Sequence, residues 1–152
     1  MLCLRNALTT DVRRKGLQQD EACIGHDFTE ALHITHNQEI QSSHFGGVRV
    51  SIEGYLVHYP EHVDGSSLLF DFHSFLTDEK TQMACTVHCH MIKLVKQLME
   101  QGILCRGGRL LGSTDGCGKQ YMCATAIYFM SMLANAFGIV VDRALGAPGH
   151  GK

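Results

Sequence analysis

The sequence predicts a mixed α/β fold: a five-stranded sheet with helices on its faces, in the order β-β-β-α-β-α-β. Two segments alternate apolar and polar residues with the period of a strand, and a longer one repeats apolar residues every three or four positions, as a helix does. Two short apolar runs then flank a second helical stretch. At 152 residues and 45% hydrophobic composition, the chain can bury a single core.

Strands 1 to 3 are predicted at residues 22–35, 48–59 and 68–76. The second and third place apolar residues on one face and mostly polar residues on the other, which is the pattern of half-buried strands. Pro60 and the residues after it form a turn signal between them. Because this connection is short, we expect the three strands to form an antiparallel meander.

The period changes after strand 3. Residues 81–101 place apolar side chains along one side of a helix of about five turns. Residues 109–114 form the fourth strand, residues 120–137 a second helix closed by Gly138, and residues 139–144 the last strand. Two crossover connections therefore follow the meander, and the sheet is expected to be mixed.

Composition limits the class of protein. Residues 1–20 are predicted to be a polar N-terminal segment and residues 21–152 the folded core. Seven cysteines without the even, short-spaced pattern of a disulfide framework indicate a reducing, intracellular compartment. Polar residues interrupt the longest apolar stretch, so no membrane span is expected. A net charge of -2 argues against a purely electrostatic nucleic-acid binder, although the basic run at residues 93–119 fits a phosphate contact or a solvated helix face.

Two aspartates are the candidates for chemistry. Asp27 lies within strand 1, where a carboxylate is costly unless it is paired or bound, and Asp115 ends the fourth strand. If these strands are parallel neighbours, both carboxylates meet at the carboxyl edge of the sheet. Such hard oxygen ligands suit Mg²⁺ or Mn²⁺, and a pair of metals about 4 Å apart suits phosphodiester chemistry. The alternative is that Asp115 caps a turn or helix and Asp27 is a strand-edge residue.

Four short motifs accompany these aspartates. They are Asp-Phe-Thr-Glu at 27–30, Gln-Ser-Ser-His at 41–44, Asp-Gly-Cys-Gly-Lys-Gln-Tyr at 115–121 and Gly-His-Gly-Lys at 149–152. In this order they resemble the RNase H-like core of DDE-type transposases and integrases, in particular a group of transposon-derived eukaryotic proteins. That group more often has Asp-Phe-Ala-Glu, Ser-Asp-Gly and Ser-His-Gly-Lys at the corresponding places.

The resemblance implies metal-dependent DNA cleavage and strand transfer, with Asp27 and Asp115 as the catalytic and metal-binding acids. Six further residues would be accessory: Glu30, Gln41, His44, Gln120, His150 and Lys152. The implied partner is DNA, with a homo-oligomer on that DNA allowed, and the implied location is the nucleus; neither a membrane nor a nucleotide cofactor is expected. The third acid would follow Lys152, so we expect an incomplete core. The alternative is a catalytically inactive or domesticated RNase H-like nucleic-acid-binding domain.

Three competing constellations are less specific. Residues 85–90 contain four zinc-type ligands, but no second ligand pair follows, and a core cysteine pair with exposed histidines is expected instead. Residues 112–119 resemble a phosphate loop, yet Gln120 stands where that loop needs a hydroxyl. Cys117 with His150 as base lacks an orienting third group, so a small buried cysteine is the simpler interpretation.

Overall fold

The computed structural model describes residues 16–29, 32–33, 49–61, 67–78, 82–114, 117 and 120–145. Its elements follow the predicted order. They are β1 (Glu21–Phe28), β2 (Leu32–His33), β3 (Arg49–Pro60), β4 (Leu68–Thr77), α1 (Ala84–Glu100), β5 (Arg109–Thr114), α2 (Ala124–Phe137) and β6 (Val140–Leu145).

The strands form one mixed sheet with β1 at its centre. β1 pairs antiparallel with β3 on one side and parallel with β5 on the other, and β6 continues the sheet parallel to β5. β4 pairs antiparallel with β3 along the edge away from β1. The predicted meander is therefore confirmed, and the first and fourth predicted strands are parallel neighbours.

The predicted first strand is divided in two. β1 and β2 both pair with β3, but Phe28 is level with Glu53 whereas Leu32 is level with Val50. The pairing slips by one residue between the two strands.

Both helices pack on the same face of the sheet. α1 contributes its buried apolar side, centred on Leu94 and Leu98, against Ile24 of β1 and Leu110 of β5. α2 adds Leu133 to the same core. Fully burying such a side chain is worth about 1.5–3 kcal/mol, so this layer is the main source of stability. Within the described residues, neither helix is long and apolar enough to cross a membrane.

The helices cover the face of the sheet opposite to the one that the strand pattern predicts to be buried. Ser51, Glu53 and Tyr55 of β3 are buried beneath the helices, although their row is the more polar one. The apolar row faces away from the helices. We call that side the open face; its apolar residues include Val50, Ile52, Leu56, Phe70, Phe72 and Leu76.

A small second core covers one end of the open face. Leu17 and Cys23 are buried there against Leu68 and Leu111. Burial in this setting raises the pKa of the Cys23 thiol to about 11, so it is protonated at neutral pH. The remainder of the open face is far less covered by the residues that the structure describes, and Phe70 is 67% exposed.

Candidate functional site

Asp27 lies in the carboxyl-terminal half of β1, the central strand. It is level with Gly54 of β3, and the alternation of side chains along β1 places it on the open face, half-buried. On its other side β1 runs parallel to β5, with Gly25 level with Ser113. Thr114 is the last residue of β5. Asp27 is therefore at the sheet edge where ligands of open α/β sheets bind.

Most of the other predicted site residues lie outside the described part of the chain: Asp115, Glu30, Gln41, His44, His150 and Lys152. Gln120 is described. Its side chain is buried and donates a hydrogen bond from Nε2 to Oε1 of Gln82 (2.9 Å), and Gln82 in turn donates to the carbonyl of Thr29 (3.5 Å). Gln120 is thus linked to the backbone just beyond Asp27.

The helix-covered face carries a polar cluster that the sequence does not predict. Glu53 is fully buried, and its two carboxylate oxygens lie 3.0 Å from Nδ1 of His26 and 2.6 Å from Nδ1 of His90. His26 comes from β1, Glu53 from β3 and His90 from α1. We call these three residues the His–Glu–His cluster. Two histidine partners stabilise the buried Glu53 carboxylate, whereas an unpaired carboxylate in this place would be strongly destabilising.

Aromatic rings enclose the His–Glu–His cluster. His26 stacks on Tyr55 with ring centroids 4.7 Å apart and meets Tyr121 edge-on at 5.1 Å, while His90 stacks on Phe75 at 5.0 Å. Burial alone would raise the pKa of the Glu53 carboxyl, but the hydrogen bonds from His26 and His90 outweigh it and lower the pKa. The site therefore keeps a carboxylate inside an apolar shell.

Arg143 brings a cation to the end of β5. Its guanidinium lies 5.3 Å from the centre of the Tyr121 ring, and Nη2 donates to Oγ1 of Thr114 (3.3 Å). Burial lowers the pKa of Arg143, which still leaves an arginine charged at neutral pH. Because β6 reads as a short apolar strand, its sequence gives no signal that this arginine faces inward.

The described residues of the basic run at 93–119 do not converge on Asp27. Arg109 begins β5, at the opposite end of that strand from Thr114, and its side chain is held by Asp142 at 2.5 Å. Lys93 and Lys96 are exposed on α1. The sequence allows two interpretations of this run, a phosphate contact and a solvated helix face. The described residues agree with the solvated face.

Residues 85–90 are the segment with four zinc-type ligands. The expectation that its cysteines are in the core and its histidines exposed is wrong. Cys85 and Cys89 are exposed, His90 is buried on Glu53, and His88 stacks on Phe129 of α2 with centroids 4.4 Å apart. His90 lies on the buried side of α1 because Glu53 gives it a hydrogen-bond partner there. No group of three or more His, Cys, Asp or Glu residues able to hold a metal occurs within the described ranges.

Comparison with known proteins gives one family and one fold. A family model described as "Domain of unknown function (DUF8701)" matches residues 8–152, and no curated protein matches. Among solved structures, LC9-RNase H1, a type 1 RNase H, is similar over 90% of this chain and 67% of its own, with 13% identity and a TM-score of 0.52. This likeness shows an RNase H-like fold.

Two larger proteins are less similar. Aquifex aeolicus Argonaute has 13% identity and a TM-score of 0.47 over 86% of this chain, which spans only 15% of the Argonaute chain. The Mos1 transposase in its paired-end complex has 9% identity and a TM-score of 0.42, with 90% of this chain and 38% of the transposase covered.

Proposed function

The chain belongs to the DUF8701 family, and we propose that it is a metal-dependent nuclease core that cleaves DNA and transfers strands in the manner of DDE-type transposases. One observation carries the proposal. Asp27 lies on the central strand of an RNase H-like sheet, beside the parallel strand β5, and Asp115 directly follows the last residue of β5 in the sequence. Carboxyl ends of adjacent parallel strands are where such sheets place their ligands.

In this proposal Asp27 and Asp115 hold Mg²⁺ or Mn²⁺. The β1–β5 pairing advances evenly from Glu21 with Arg109 to Gly25 with Ser113, and Asp27 and Asp115 each come two residues later in the sequence. Neighbouring strands are about 4.8 Å apart, a spacing that allows two carboxylates to share metal ions. A half-buried carboxylate is a hard oxygen donor of the kind that these ions prefer. When bound, the ions would activate the attacking oxygen and stabilise the leaving one.

A path of hydrogen bonds to the backbone near Asp27 supports the proposal. The hydrogen-bonded path from Gln120 through Gln82 to Thr29 ties the segment after Asp115 to the backbone after Asp27. Glu30, Gln41, His44, His150 and Lys152 take accessory roles in the proposal, with His150 or Lys152 contacting phosphate.

Calorimetric titration with Mn²⁺ tests the metal site. We expect Asp27→Asn and Asp115→Asn each to weaken Mn²⁺ binding, and the double variant to abolish it, because each substitution removes an anionic ligand. Glu61→Gln is the matched control, since Glu61 is an exposed turn residue that makes the same carboxylate-to-amide change. Undiminished binding in the double variant would place the metal elsewhere and contradict the proposal.

A second candidate function is nucleic-acid binding without turnover. It is favoured by the opposite orientations of two neighbouring residues of β1. Asp27 lies on the open face, whereas His26 lies beneath the helices in the His–Glu–His cluster, so Asp27 and that cluster are on different faces of the sheet. The only acid of that cluster, Glu53, is already engaged by two histidines. A DNA-binding assay paired with a Mn²⁺-dependent cleavage assay distinguishes the two functions: binding without cleavage supports the second.

A further inference from the structure

β4 has a long edge that no described strand pairs with. All ten of its residues pair with β3 on one side, from Leu68 level with Pro60 to Thr77 level with Ser51. On the other side, within the described ranges, its backbone has no strand partner. An edge of this kind presents a row of N–H and C=O groups ready to bond with another strand.

The sequence of β4 lacks the features that normally protect an edge. Leu-Leu-Phe-Asp-Phe-His-Ser-Phe-Leu-Thr contains no lysine, arginine, proline or glycine, and its pairing with β3 is uninterrupted by a bulge. Its open-face side chains are also unusually exposed for apolar residues: Phe70 67%, Phe72 68% and Leu76 65%. A monomer would leave this strand as a site of uncontrolled association, so a defined partner is the physical expectation.

A second copy of β4 complements the first in one particular register. In a two-fold pair of β4 strands whose open faces lie on the same side, each residue is opposite one whose side chain points to the same face. Two registers meet this condition and pair nearly the whole strand: one is centred on Phe72 and the other on His73. Centring on Phe72 sets Asp71 opposite His73 of the second copy, twice by symmetry, and Leu68 opposite Leu76. Centring on His73 sets His73 against itself and Asp71 against Phe75, which loses the complementary pair.

The polar side chains of β4 have capacity for this contact. His73 is half-buried, and its Nε2 has no hydrogen-bond partner among the described residues, so it gains one if the ring turns outward to meet a second copy. Asp71 accepts one hydrogen bond, from the Tyr59 hydroxyl at 3.1 Å, and a carboxylate has room for several. An acid and an imidazole opposite each other across strands stabilise the pairing, whereas two imidazoles do not.

We propose that two copies of this chain join through the outer edges of β4, antiparallel and centred on Phe72, to form one continuous sheet. The interface is isologous, so it closes as a dimer. It covers the exposed edge and extends the apolar open face across both copies. The dimer requires no ligand and is independent of the proposed nuclease function.

The oligomeric state of the full 152-residue chain tests the interface. By analytical ultracentrifugation at about 100 μM, where a dimer with micromolar Kd is populated, the chain should be dimeric. Asp71→Lys should raise the Kd about tenfold, because it removes the acceptor opposite His73 and leaves a lysine ammonium without a partner, and adding His73→Asp should restore the dimer. Val140→Lys introduces the same side chain on the opposite edge of the sheet, where Val140 is 52% exposed, and should leave the dimer intact.

Thiol cross-linking tests the register. Phe72→Cys should cross-link to itself with a short bifunctional thiol reagent, whereas Ser74→Cys, which faces Phe70 of the second copy, should not. The wild-type chain gives the background from the exposed Cys85, Cys89 and Cys105. Because the Phe72 ring lies over Gly54, circular dichroism must show that Phe72→Cys is folded, and the Asp71 and His73 variants give a readout that spares Phe72.

Each outcome decides the proposal. A dimer that shows charge-swap rescue and Phe72-specific cross-linking supports it. A monomer at about 100 μM overturns it, as does a dimer that Val140→Lys disrupts instead of Asp71→Lys. Efficient cross-linking of His73→Cys with none of Phe72→Cys overturns the register.

Discussion

Glu53 is the residue on which the polar interior depends. It is fully buried, and each of its oxygens is within hydrogen-bond distance of a histidine on a different element. Removing the charge from one member of such a group leaves the others without a matched partner. The His–Glu–His cluster therefore joins β1, β3 and α1 through a single carboxylate.

We predict that Glu53→Gln lowers the free energy of unfolding by about 3–5 kcal/mol at neutral pH, since it breaks a buried charged network. The pH dependence gives a sharper test. The folded-state pKa of Glu53 lies below the ordinary value of 4.5, so its charge contributes stability above that value, and the contribution is lost as the pH falls towards the folded-state pKa. The difference between wild type and Glu53→Gln in urea unfolding should shrink below pH 4.5.

Glu61→Gln is the control for this change, because Glu61 is an exposed turn residue and surface substitutions usually alter stability by less than about 0.5 kcal/mol. Equal stability of wild type and Glu53→Gln at neutral pH would show that the two histidines do not depend on the carboxylate. The sequence could not reveal this cluster, because Glu53 stands in the polar row of an alternating strand. A polar row of this kind predicts exposure to solvent. The contacts of Glu53 with His90 of α1 and His26 of β1 become visible only in the structure.

Both helices end on a glycine in the left-handed conformation. Gly102 follows α1 with φ 72°, and Gly138 caps α2 with φ 64°. At Gly102 an added Cβ would meet open space, whereas at Gly138 it would approach Nη1 of Arg106 at 3.2 Å. The two positions therefore have the same backbone demand but different surroundings.

We predict that Gly102→Ala and Gly138→Ala each cost about 1 kcal/mol, because a side chain in this region of φ is strained. The cost at Gly138 should exceed that at Gly102 only slightly, since Arg106 is exposed and can move. Thermal unfolding of the two variants should show midpoints lowered by a few degrees. An alanine variant as stable as wild type would mean that the helix end relaxes into another conformation.

Element order was predictable, and element boundaries and faces were only partly so. The change of period at α1 and the short runs of β5 and β6 identify those elements directly. β1 and β2 read as one strand because a one-residue slip leaves no trace in composition. α2 begins at Ala124, after the expected residue 120, because Gln120 and Tyr121 are buried ahead of the helix, Gln120 on Gln82 and Tyr121 against His26.

The faces of β3 and β4 show why pattern alone misleads. Alternation predicts that one row is buried, and apolarity selects Val50, Ile52 and Leu56 as that row. The structure buries Ser51, Glu53 and Tyr55 instead, because α1 supplies His90 as a partner for the acid. A partner on a distant element thus reverses a choice that the strand's own residues would make. Asp27 could be identified as a candidate because the signal is local: it is a carboxylate within a predicted strand, and no distant partner has to be known.

At the scale of the whole molecule, charge would decide how the proposed nuclease core meets DNA. The net charge is -2, and Arg109 is already held by Asp142. Asp27 and Asp115 would add repulsion to a phosphate backbone wherever no divalent cation is bound. Electrostatic attraction alone therefore does not favour a complex, and the proposed metal site would have to reverse the local field.

We predict that DNA binding by the wild-type chain is weak in EDTA and tightens about tenfold when Mn²⁺ replaces it at constant ionic strength, because bound cations turn a repulsive site into a bridging one. Asp27→Asn should lose that enhancement and any Mn²⁺-dependent cleavage, while its binding in EDTA stays equal or becomes tighter through the loss of one negative charge. Fluorescence anisotropy with labelled duplex DNA measures both conditions, and Glu61→Gln serves as the control. An Asp27→Asn variant that keeps the full Mn²⁺ response would show that Asp27 does not hold the metal. A wild-type chain that binds equally in both conditions and cleaves nothing would instead favour the non-catalytic function.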